Sequence, residues 1–367
     1  MRRSVTCLAV LTLFIGCGTS RSAEPKPPKI GVVTGTVSQG EDEFRAAQAL
    51  LRRYPNRVRH VTYPDNFMSE QETVIGQIVG LASDPAVKVI VIGQAIPGSC
   101  AAVRKIRETR TDVLFGFIEA HEDPKLVNET ADLAIQSDQL SRGRTIIDLA
   151  NKMGAKTFVH YTFPRHMSME LLSQRRDIME QECAKLGMKF VSLNAPDPMG
   201  EGGLPATQQY VLEDVPRRVN EFGKQTAFFS TNCGMQDPLI KSVLDTGAYF
   251  PEQCCPSPTH GYVTALGISV PEEKAGDMSF INAQNKAAIA ARGLSGHFAT
   301  WPVPLTMLSI EVAADLLSDA QMGKADIGKP ETLKAYFEKA AGVPVTVHEY
   351  DPSKGNSYLL LLDSIIY

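Results

Sequence analysis

Five cysteines after the first twenty residues have the most reactive side chains of the chain. In an oxidising compartment, Cys233 with Cys254 or Cys255 could form a disulfide. A zinc site would add His260 to these cysteines, but the chain has no C-x-x-C pair, so we predict neither a metal nor a cofactor. The spacing leaves the disulfide pairing open among Cys100, Cys183, Cys233, Cys254 and Cys255.

Polar and aromatic side chains that follow apolar runs of the chain form a candidate ligand site. If the runs are parallel strands, their carboxyl ends present loops and free backbone N–H donors to a ligand. Most residues of the set are polar and uncharged, and the few charged ones have both signs. Such a set suits a small hydroxyl- or amide-bearing solute better than a long lipid. We predict ligand contacts from Thr34, Gly35, Ser38, Gln39, Asn66, Gln94, Glu119, Tyr161, Arg165, His166, Asn194, Asn232 and Trp301.

Several of these positions also have a purely structural interpretation. Residues 34–36 fit a tight turn in which Gly35 serves the backbone geometry. Arg165 and His166 fit the solvated start of a helix. Glu119 can pair with His121 at the surface, and such a pair does not establish catalysis.

Short apolar runs alternate with amphipathic stretches from residue 29 onward. Continuous Val and Ile runs indicate strands that are covered on both faces, and therefore parallel sheets. The stretches between them place apolar residues at helical spacing. The strands form two series, predicted over 29–34, 57–63, 87–92 and 113–118, and over 157–161, 189–193, 227–230 and 263–270. The helices are predicted over 43–53, 69–81, 99–109, 140–153, 168–186, 206–222 and 238–246. The sequence therefore predicts an α/β protein with two successive doubly wound sheets.

The join between the two series, residues 131–154 (ADLAIQSDQLSRGRTIIDLANKMG), resembles a segment of type I periplasmic binding proteins. In that family a short strand is followed by Asp, a Gly, an aliphatic helix and a second Gly. The positions that fit this order are Ile135, Asp138, Gly143, Ile146, Leu149, Ala150 and Gly154. Residues 29–47 resemble the family's first strand, loop and helix, and residues 296–320 resemble its return crossing and next helix. The chain is also similar to the basic-membrane-protein branch and to an uncharacterised group of bacterial lipoproteins.

The resemblance implies two Rossmann-like lobes joined by a multi-strand hinge, with a ligand in the cleft between them. The N-terminal lobe would comprise residues 29–136 and 302–322, and the C-terminal lobe residues 137–301 and 343–367. Trp301 would lie at the return crossing, where its indole either stacks on a sugar or a base or packs as a hinge residue. The implied function is a solute receptor that serves an ABC-type transporter permease or a membrane sensor.

An enzyme is the alternative class of function. Cys100 and Cys233 each follow a predicted strand, one in each series, so both could face the cleft. That placement loosely resembles cofactor-independent amino-acid racemases, in which two cysteines exchange the α-proton of the substrate. The chain departs from those enzymes because it lacks their Gly-Cys-Thr motif. P-loop, Ser-x-x-Lys, His-Glu-x-x-His and calcium-loop patterns are also absent from the sequence, so we favour a non-enzymatic binding protein.

The first residues have the features of an export signal, with Arg2 and Arg3 before a short apolar run. The run is about half of the ~20 apolar residues that cross a bilayer, so we predict a signal peptide over residues 1–16. Residues 13–17 (LFIGC) resemble the lipobox of bacterial lipoproteins, which implies lipidation of Cys17, although Phe14 departs from the usual Leu. Cleavage after Ser22 is the alternative. Residues 17–28 then comprise the lipidated cysteine and a flexible, proline-rich linker.

The charge of the chain bears on its partners. The formal net charge is −4 with Lys and Arg scattered along the chain, which argues against nucleic acid as a partner. We therefore expect a protein of the cell envelope, anchored to a membrane by lipid on the periplasmic or extracellular face, whose partner is a small-molecule solute.

Overall fold

The computed structural model describes residues 26–367, apart from the side chains of Ser38 and Gln39. The predicted signal peptide, Cys17 and most of the linker lie outside the described residues. Within the described range no helix has the length and apolar character needed to cross a membrane. The fold is α/β, with mainly parallel sheets between helices, as the sequence predicts.

The larger sheet has the strand order β10-β11-β5-β4-β3-β1-β2 among the described residues. β10 is antiparallel to β11, and the other neighbours are parallel. These strands are β1 (Lys29–Thr34), β2 (Val58–Thr62), β3 (Val87–Gly93), β4 (Leu114–Ile118), β5 (Leu133–Ser137), β10 (Thr346–Glu349) and β11 (Ser357–Leu361). The helices that cover them are α1 (Val37–Arg53), α2 (Gln71–Leu81), α3 (Ser99–Arg107), α4 (Pro124–Thr130), α12 (Leu305–Gln321) and α13 (Pro330–Ala341).

The smaller sheet is parallel, with the order β7-β6-β8 in the described part of the chain. Its strands are β6 (Thr157–Thr162), β7 (Lys189–Asn194) and β8 (Thr226–Ser230). The helices that accompany it are α5 (Gln139–Met153), α6 (Pro164–Met167), α7 (Glu170–Lys185), α8 (Gly203–Phe222), α9 (Gln236–Thr246), α10 (Tyr262–Leu266) and α11 (Met278–Ala290). A further antiparallel pair joins β9 (Ala299–Thr300) to β12 (Ile365–Ile366).

The central strands of each sheet are buried on both faces, because helices cover the two sides. In β3, Val89 and Val91 pack with α1 and α12, whereas Ile90 and Ile92 pack with α2 and α3. This alternation explains why the strand has a continuous apolar run rather than an alternating one. The two layers of helices fix the sheet, so the loops at its strand ends are held in place.

The chain passes between the two sheets three times: after β5, between β9 and α12, and between β11 and β12. The sequence places all of residues 343–367 with the second lobe, and this is wrong for β10 and β11. β11 pairs with β5, from Ser357 beside Ala134 to Leu360 beside Ser137. Only the last strand, β12, returns to the side of the smaller sheet, so the other lobe boundaries stay a prediction.

The predicted strand over 263–270 is also wrong. Residues 262–266 form the short helix α10, bounded by Gly261 and Gly267 in left-handed conformations with φ of 76° and 66°. Glycine adopts this conformation without the steric penalty of a Cβ atom. The two glycines therefore turn the chain at both ends of an apolar run that is too short to distinguish strand from helix by sequence.

Candidate functional site

A cavity of about 290 Å³ lies where the carboxyl ends of strands from both sheets meet. From the larger sheet it receives the residues that follow β3 and β4, together with the end of β5. From the smaller sheet it receives α6, the start of α7 and the residues that follow β7 and β8. Five predicted site residues line it, namely Gln94, Glu119, Arg165, His166 and Asn232.

Two of these residues have left-handed backbones that non-glycine residues rarely adopt. The φ angle is 56° at Gln94 and 48° at Glu119, and Ala95 beside Gln94 has φ of 26°. Such conformations cost about 1–3 kcal/mol each and persist where the surrounding structure fixes them. Here the backbone N–H of His121 donates to the carbonyl of Gln94 at 2.9 Å, which ties the two strand ends together. The strain turns both side chains toward the cavity wall.

Two carboxyl groups from the larger sheet face the cavity. Glu43 of α1 is 3% exposed and accepts a hydrogen bond from Gln94 Nε2 at 3.2 Å. Burial, with a smaller contribution from Cys255, raises the pKa of Glu43 well above its usual value. Glu119 accepts hydrogen bonds from Ser137 N at 2.6 Å and Ser137 Oγ at 3.1 Å. Removal from bulk solvent, followed by the charge of Cys255, raises the pKa of Glu119 to about 7.

A buried guanidinium group on α7 carries positive charge into the cavity wall. Arg175 is 1% exposed, donates from Nη1 to Gln139 Oε1 and lies 4.8 Å from the ring centre of Phe229. Its Nε and Nη2 atoms have no hydrogen-bond acceptor among the described residues. Burial, aided by the charge of Arg142, lowers the pKa of Arg175 to about 9, so the group is still charged at neutral pH.

Two histidines approach each other across the cavity, with ring centres 6.4 Å apart. His166 Nδ1 is 3.0 Å from Thr231 Oγ1. Burial and the nearby charge of Arg165 lower the pKa of His121 to about 4 and that of His166 well below its usual value. Both rings are therefore neutral at pH 7 and offer one donor and one acceptor each. The alternative of a surface pair between Glu119 and His121 is wrong, because the hydrogen-bond partner of Glu119 is Ser137.

The remaining predicted site residues whose side chains the structure describes lie outside the wall of this cavity. Thr34 Oγ1 lies 2.8 Å from the ring of His60, and Gly35 follows it at the end of β1. Tyr161 donates to Asp214 Oδ2 at 2.9 Å within the core of the smaller sheet. Asn66 and Asn194 lie on exposed surfaces. The side chains of Ser38 and Gln39 are outside the described part of the structure.

The sequence left two roles open for Trp301, stacking on a ligand or packing as a hinge residue, and the structure favours packing. It is 1% exposed and belongs to the core cluster of the larger sheet. Its ring centre lies 5.6 Å from the guanidinium carbon of Arg142, a cation–π contact. The indole therefore packs at the second crossing between the sheets and has no face left for a sugar or a base.

Three cysteine thiols line one end of the cavity. The Sγ atom of Cys233 is 3.4 Å from that of Cys254 and 3.5 Å from that of Cys255. Burial opposes ionisation of Cys254, but hydrogen bonds from the other two thiols and the charge of Arg142 lower the pKa of Cys254 well below its usual value. Cys100, by contrast, is buried in the core of the larger sheet and is not in the cavity wall. The hypothesis that Cys100 and Cys233 flank the cleft is therefore wrong.

Comparison with protein families gives a match over most of the described residues. A family model described as "Protein of unknown function (DUF3798)" matches residues 28–299. The chain belongs to the DUF3798 family. Two uncharacterized proteins of Treponema pallidum (strain Nichols) are similar to this DUF3798 chain. One is 37% identical over 210 residues, which is 53% of this chain and 95% of the relative. The other is 33% identical over 195 residues, which is 53% of this chain and 88% of the relative.

Solved structures share the fold of this DUF3798 chain. A protein from Clostridium difficile 630, whose description proposes a transcriptional regulator, has a TM-score of 0.77 at 24% identity and covers 93% of this chain and 99% of its own. A second structure is that of a periplasmic solute-binding protein of an ABC transporter from Actinobacillus succinogenes 130z with bound D-allose. Its TM-score is 0.55 at 12% identity, and the match covers 82% of this chain and 93% of that protein. A substrate-binding protein of a sugar ABC transport system from Bordetella parapertussis 12822 has a TM-score of 0.58 at 11% identity, over 93% and 89%. The fold is therefore that of type I periplasmic-binding-protein-like structures.

Proposed function

We propose that this DUF3798 protein binds a small polar solute in the cavity between its two sheets. The observation that carries the proposal is the convergence of strand ends from both sheets on one cavity, with Gln94 and Glu119 held there in strained conformations. Strained conformations of this kind cluster at active sites and ligand-binding sites, where the surrounding structure holds them in place. Open parallel sheets also bind ligands at the carboxyl ends of their strands.

The cavity wall supports a solute with both hydrogen-bond donors and an anionic or strongly accepting group. Arg175 offers two donor nitrogens, Nε and Nη2, without acceptors among the described residues, and burying them unpaired costs free energy. On the facing side, Glu43 and Glu119 offer carboxyl oxygens, and His121 and His166 offer neutral rings. A solute with a carboxylate, phosphate or hydroxyl oxygen can accept hydrogen bonds from Arg175. Hydroxyl or amino groups at its other end can donate to Glu43 and Glu119.

Three crossings between the sheets allow a receptor to close over its solute. Segments of this kind absorb the change in φ and ψ while the packed sheets move as rigid bodies. Chains with this fold include solute-binding proteins of ABC transporters, one with bound D-allose. By analogy, we propose that the protein delivers its solute to an ABC-type transporter permease or reports it to a membrane sensor, anchored in the cell envelope through a lipid on Cys17.

Thermal unfolding with a panel of sugars, nucleosides, amino acids and their phosphates tests the proposal. A free solute at 100 times its dissociation constant should raise the free energy of unfolding by about 2.7 kcal/mol. A panel in which no solute shifts the transition, in protein whose fold is verified by circular dichroism, would count against solute binding. The two-cysteine racemase receives no support, because Cys100 is enclosed in an apolar core and burial raises the pKa of its thiol to about 12.

A further inference from the structure

Three soft or borderline metal-binding side chains meet at the cysteine end of the cavity, and a fourth lies beside them. The donor atoms of Cys233, Cys254 and His260 all lie within 4.8 Å of one another, and Cys255 Sγ is 3.5 Å from Cys233 Sγ. We propose that Cys233, Cys254 and His260 bind one zinc ion, and that Cys255, which lies beside this set, moves in as the fourth ligand when the ion binds. This inference goes beyond solute binding and does not depend on it.

The distances between the thiols fit a metal better than a disulfide. A disulfide requires an S–S distance of about 2.05 Å, whereas thiolates bound to one zinc at about 2.3 Å stand about 3.8 Å apart. The two Sγ–Sγ distances from Cys233 are 3.4 and 3.5 Å, and the cysteines are unbridged in the described structure. A shift of a few tenths of an ångström therefore brings the thiols to metal-bound separations.

The loop that carries three of the four ligands is fixed by a buried amide. Gln253 Nε2 donates to the carbonyl of Ser257 at 2.7 Å and to that of His260 at 3.0 Å, which closes the loop on itself. Gln253 Oε1 accepts from Thr300 Oγ1 at 2.7 Å, which anchors the loop to β9. Metal sites depend on such supporting hydrogen bonds to orient their ligands. The amide thus brings Cys254 and His260 to the same end of the loop.

The remaining ligand comes from the opposite side of the site, at the end of β8. The side chain of Asn232 accepts a hydrogen bond from Gly234 N at 2.9 Å, and this turn directs Cys233 toward the loop. Arg142 Nη2 donates to the carbonyl of Gln253 at 2.7 Å, so its positive charge lies next to Cys254 and offsets the net negative charge of a zinc ion with three thiolates. The cysteines line the cavity, which gives the ion a path from solvent.

A closed set of three cysteines and one histidine is typical of a structural zinc site. Zinc in this position would fix the loop of residues 253–261 to the end of β8 and hold one wall of the cavity. It would also protect three thiols that an oxidising compartment otherwise converts to disulfides. The sequence contains these candidate ligands but no C-x-x-C pair, because 20 residues separate Cys233 from Cys254, and the prediction of no metal rested on that spacing.

Zinc binding to the fully reduced full chain tests the proposal. Protein treated with a phosphine reductant is incubated with Zn²⁺ alone, passed through a desalting column and measured for retained zinc and unfolding temperature. We expect about one zinc per chain and a higher unfolding temperature than in the zinc-free protein. Co²⁺ alone, used as a spectroscopic probe, should produce the charge-transfer absorption of cobalt bound to thiolates.

Matched variants separate the site from other thiols. Cys233→Ser should lose the retained zinc and the cobalt absorption, whereas Cys183→Ala, which changes a buried cysteine on α7, should keep both. His260→Gln, in a partly exposed turn, provides a second variant if Cys233→Ser fails to fold, and it should retain less zinc than the wild type. Folded, reduced wild-type protein that retains no zinc would overturn the proposal. So would equal retention by the wild type and Cys233→Ser, or a Cys233 disulfide whose reduction yields no zinc binding.

Discussion

Arg142 and Arg175 are both buried, but their guanidinium groups are satisfied to different extents. Arg142 donates to Glu252 Oε1 at 2.8 Å and to three further oxygen atoms. Arg175 donates to Gln139 alone among the described residues. Removing one partner of a satisfied buried ion pair destabilises the fold, because the other charge is left buried without a partner. A buried charge without hydrogen-bond acceptors is instead typical of a site that binds a ligand.

Arg175→Met should abolish solute binding with little loss of stability. We expect the free energy of unfolding to fall by about 1 kcal/mol at most, the net value of one hydrogen bond. Arg142→Met is the matched control, and it should lower stability by about 3–5 kcal/mol because it leaves Glu252 buried without its partner. Urea denaturation measures both variants. Equal destabilisation by the two substitutions would contradict the assignment of Arg175 to the ligand.

Glu119 makes stability depend on pH. Its pKa is raised from about 4.5 to about 7 on folding, so the folded state holds the proton more tightly than the unfolded state. The corresponding stability is fully present below pH 4.5 and is lost as the pH rises through 7, by roughly 3 kcal/mol in total. The free energy of unfolding of the wild type should therefore fall between pH 5 and pH 8 by more than that of Glu119→Gln. Chemical denaturation of both proteins at the two pH values measures this difference. Parallel pH profiles of the two proteins would refute the shift.

Of the predicted site residues at strand ends, Gln94, Glu119 and Asn232 line the cavity, whereas Thr34 and Asn194 do not. Gln94, Glu119 and Asn232 occupy strand ends, and the chain direction of a parallel sheet carries all such ends to one edge. Arg175 and Glu43 escape prediction because both lie on helices. In a helical pattern a buried charged residue looks the same as a solvated one, since the difference depends on what the neighbouring elements place beside it.

At the scale of elements, α5 and α7 cross closely at a glycine. A Cβ atom on Gly143 would lie 2.8 Å from Cβ of Ile178 and 3.1 Å from the carbonyl oxygen of Arg175. Because both contacts involve atoms that cannot rotate away, a larger residue must push the helices apart. The contact therefore sets the position of the helix that carries Arg175.

Gly143→Ala should lower the free energy of unfolding by about 1–3 kcal/mol through overpacking. It should also weaken solute binding, since α7 shifts with its guanidinium group. Gly76→Ala is the control, because a Cβ there meets nothing within 4 Å in the middle of α2. That substitution should raise stability by about 0.5–1 kcal/mol through helix propensity. Thermal unfolding of the two variants measures both changes in stability. An increase in stability for Gly143→Ala would show that α5 and α7 are not in close contact.

Element type follows from the sequence where the apolar residues show a clear helical period or a β-rich run, and fails where a short apolar run lies between two glycines. The predicted helix over 206–222 corresponds to α8, and the predicted strand over 157–161 corresponds to β6. Residues 263–270 were ambiguous, since five helical residues between two glycines have no detectable period. β10 is half exposed at the edge of its sheet, so it lacks the continuous apolar run of a central strand.

At the scale of the whole molecule, the pairing of β11 with β5 joins segments more than 200 residues apart in the chain. No local pattern encodes such a neighbour, and the lobe boundaries that the resemblance implies assign residues 343–367 to the wrong sheet in part. The resemblance to type I periplasmic binding proteins does give the two sheets and the crossings, because it reflects the order of elements along the whole chain.

The proposed anchor at Cys17 makes a prediction for the intact protein in a bacterial cell. The wild type should sediment with membranes and require detergent for release, because acyl chains on Cys17 insert into the bilayer. Cys17→Ser should remove the acyl chains, and the mass of the N-terminal peptide would register their loss. An unacylated wild-type peptide that begins after Ser22 would instead support ordinary signal cleavage.

The most direct test of solute binding is the native mass of ligand-free, refolded protein after incubation with a small-molecule extract of the cells that carry the gene. We predict one discrete excess mass per wild-type chain, lost on denaturation and absent from Arg175→Met, because the cavity holds one polar solute against that guanidinium group. A wild-type mass that never exceeds that of the polypeptide, with or without the proposed zinc ion, or an identical excess in Arg175→Met, would contradict a solute site between the two sheets.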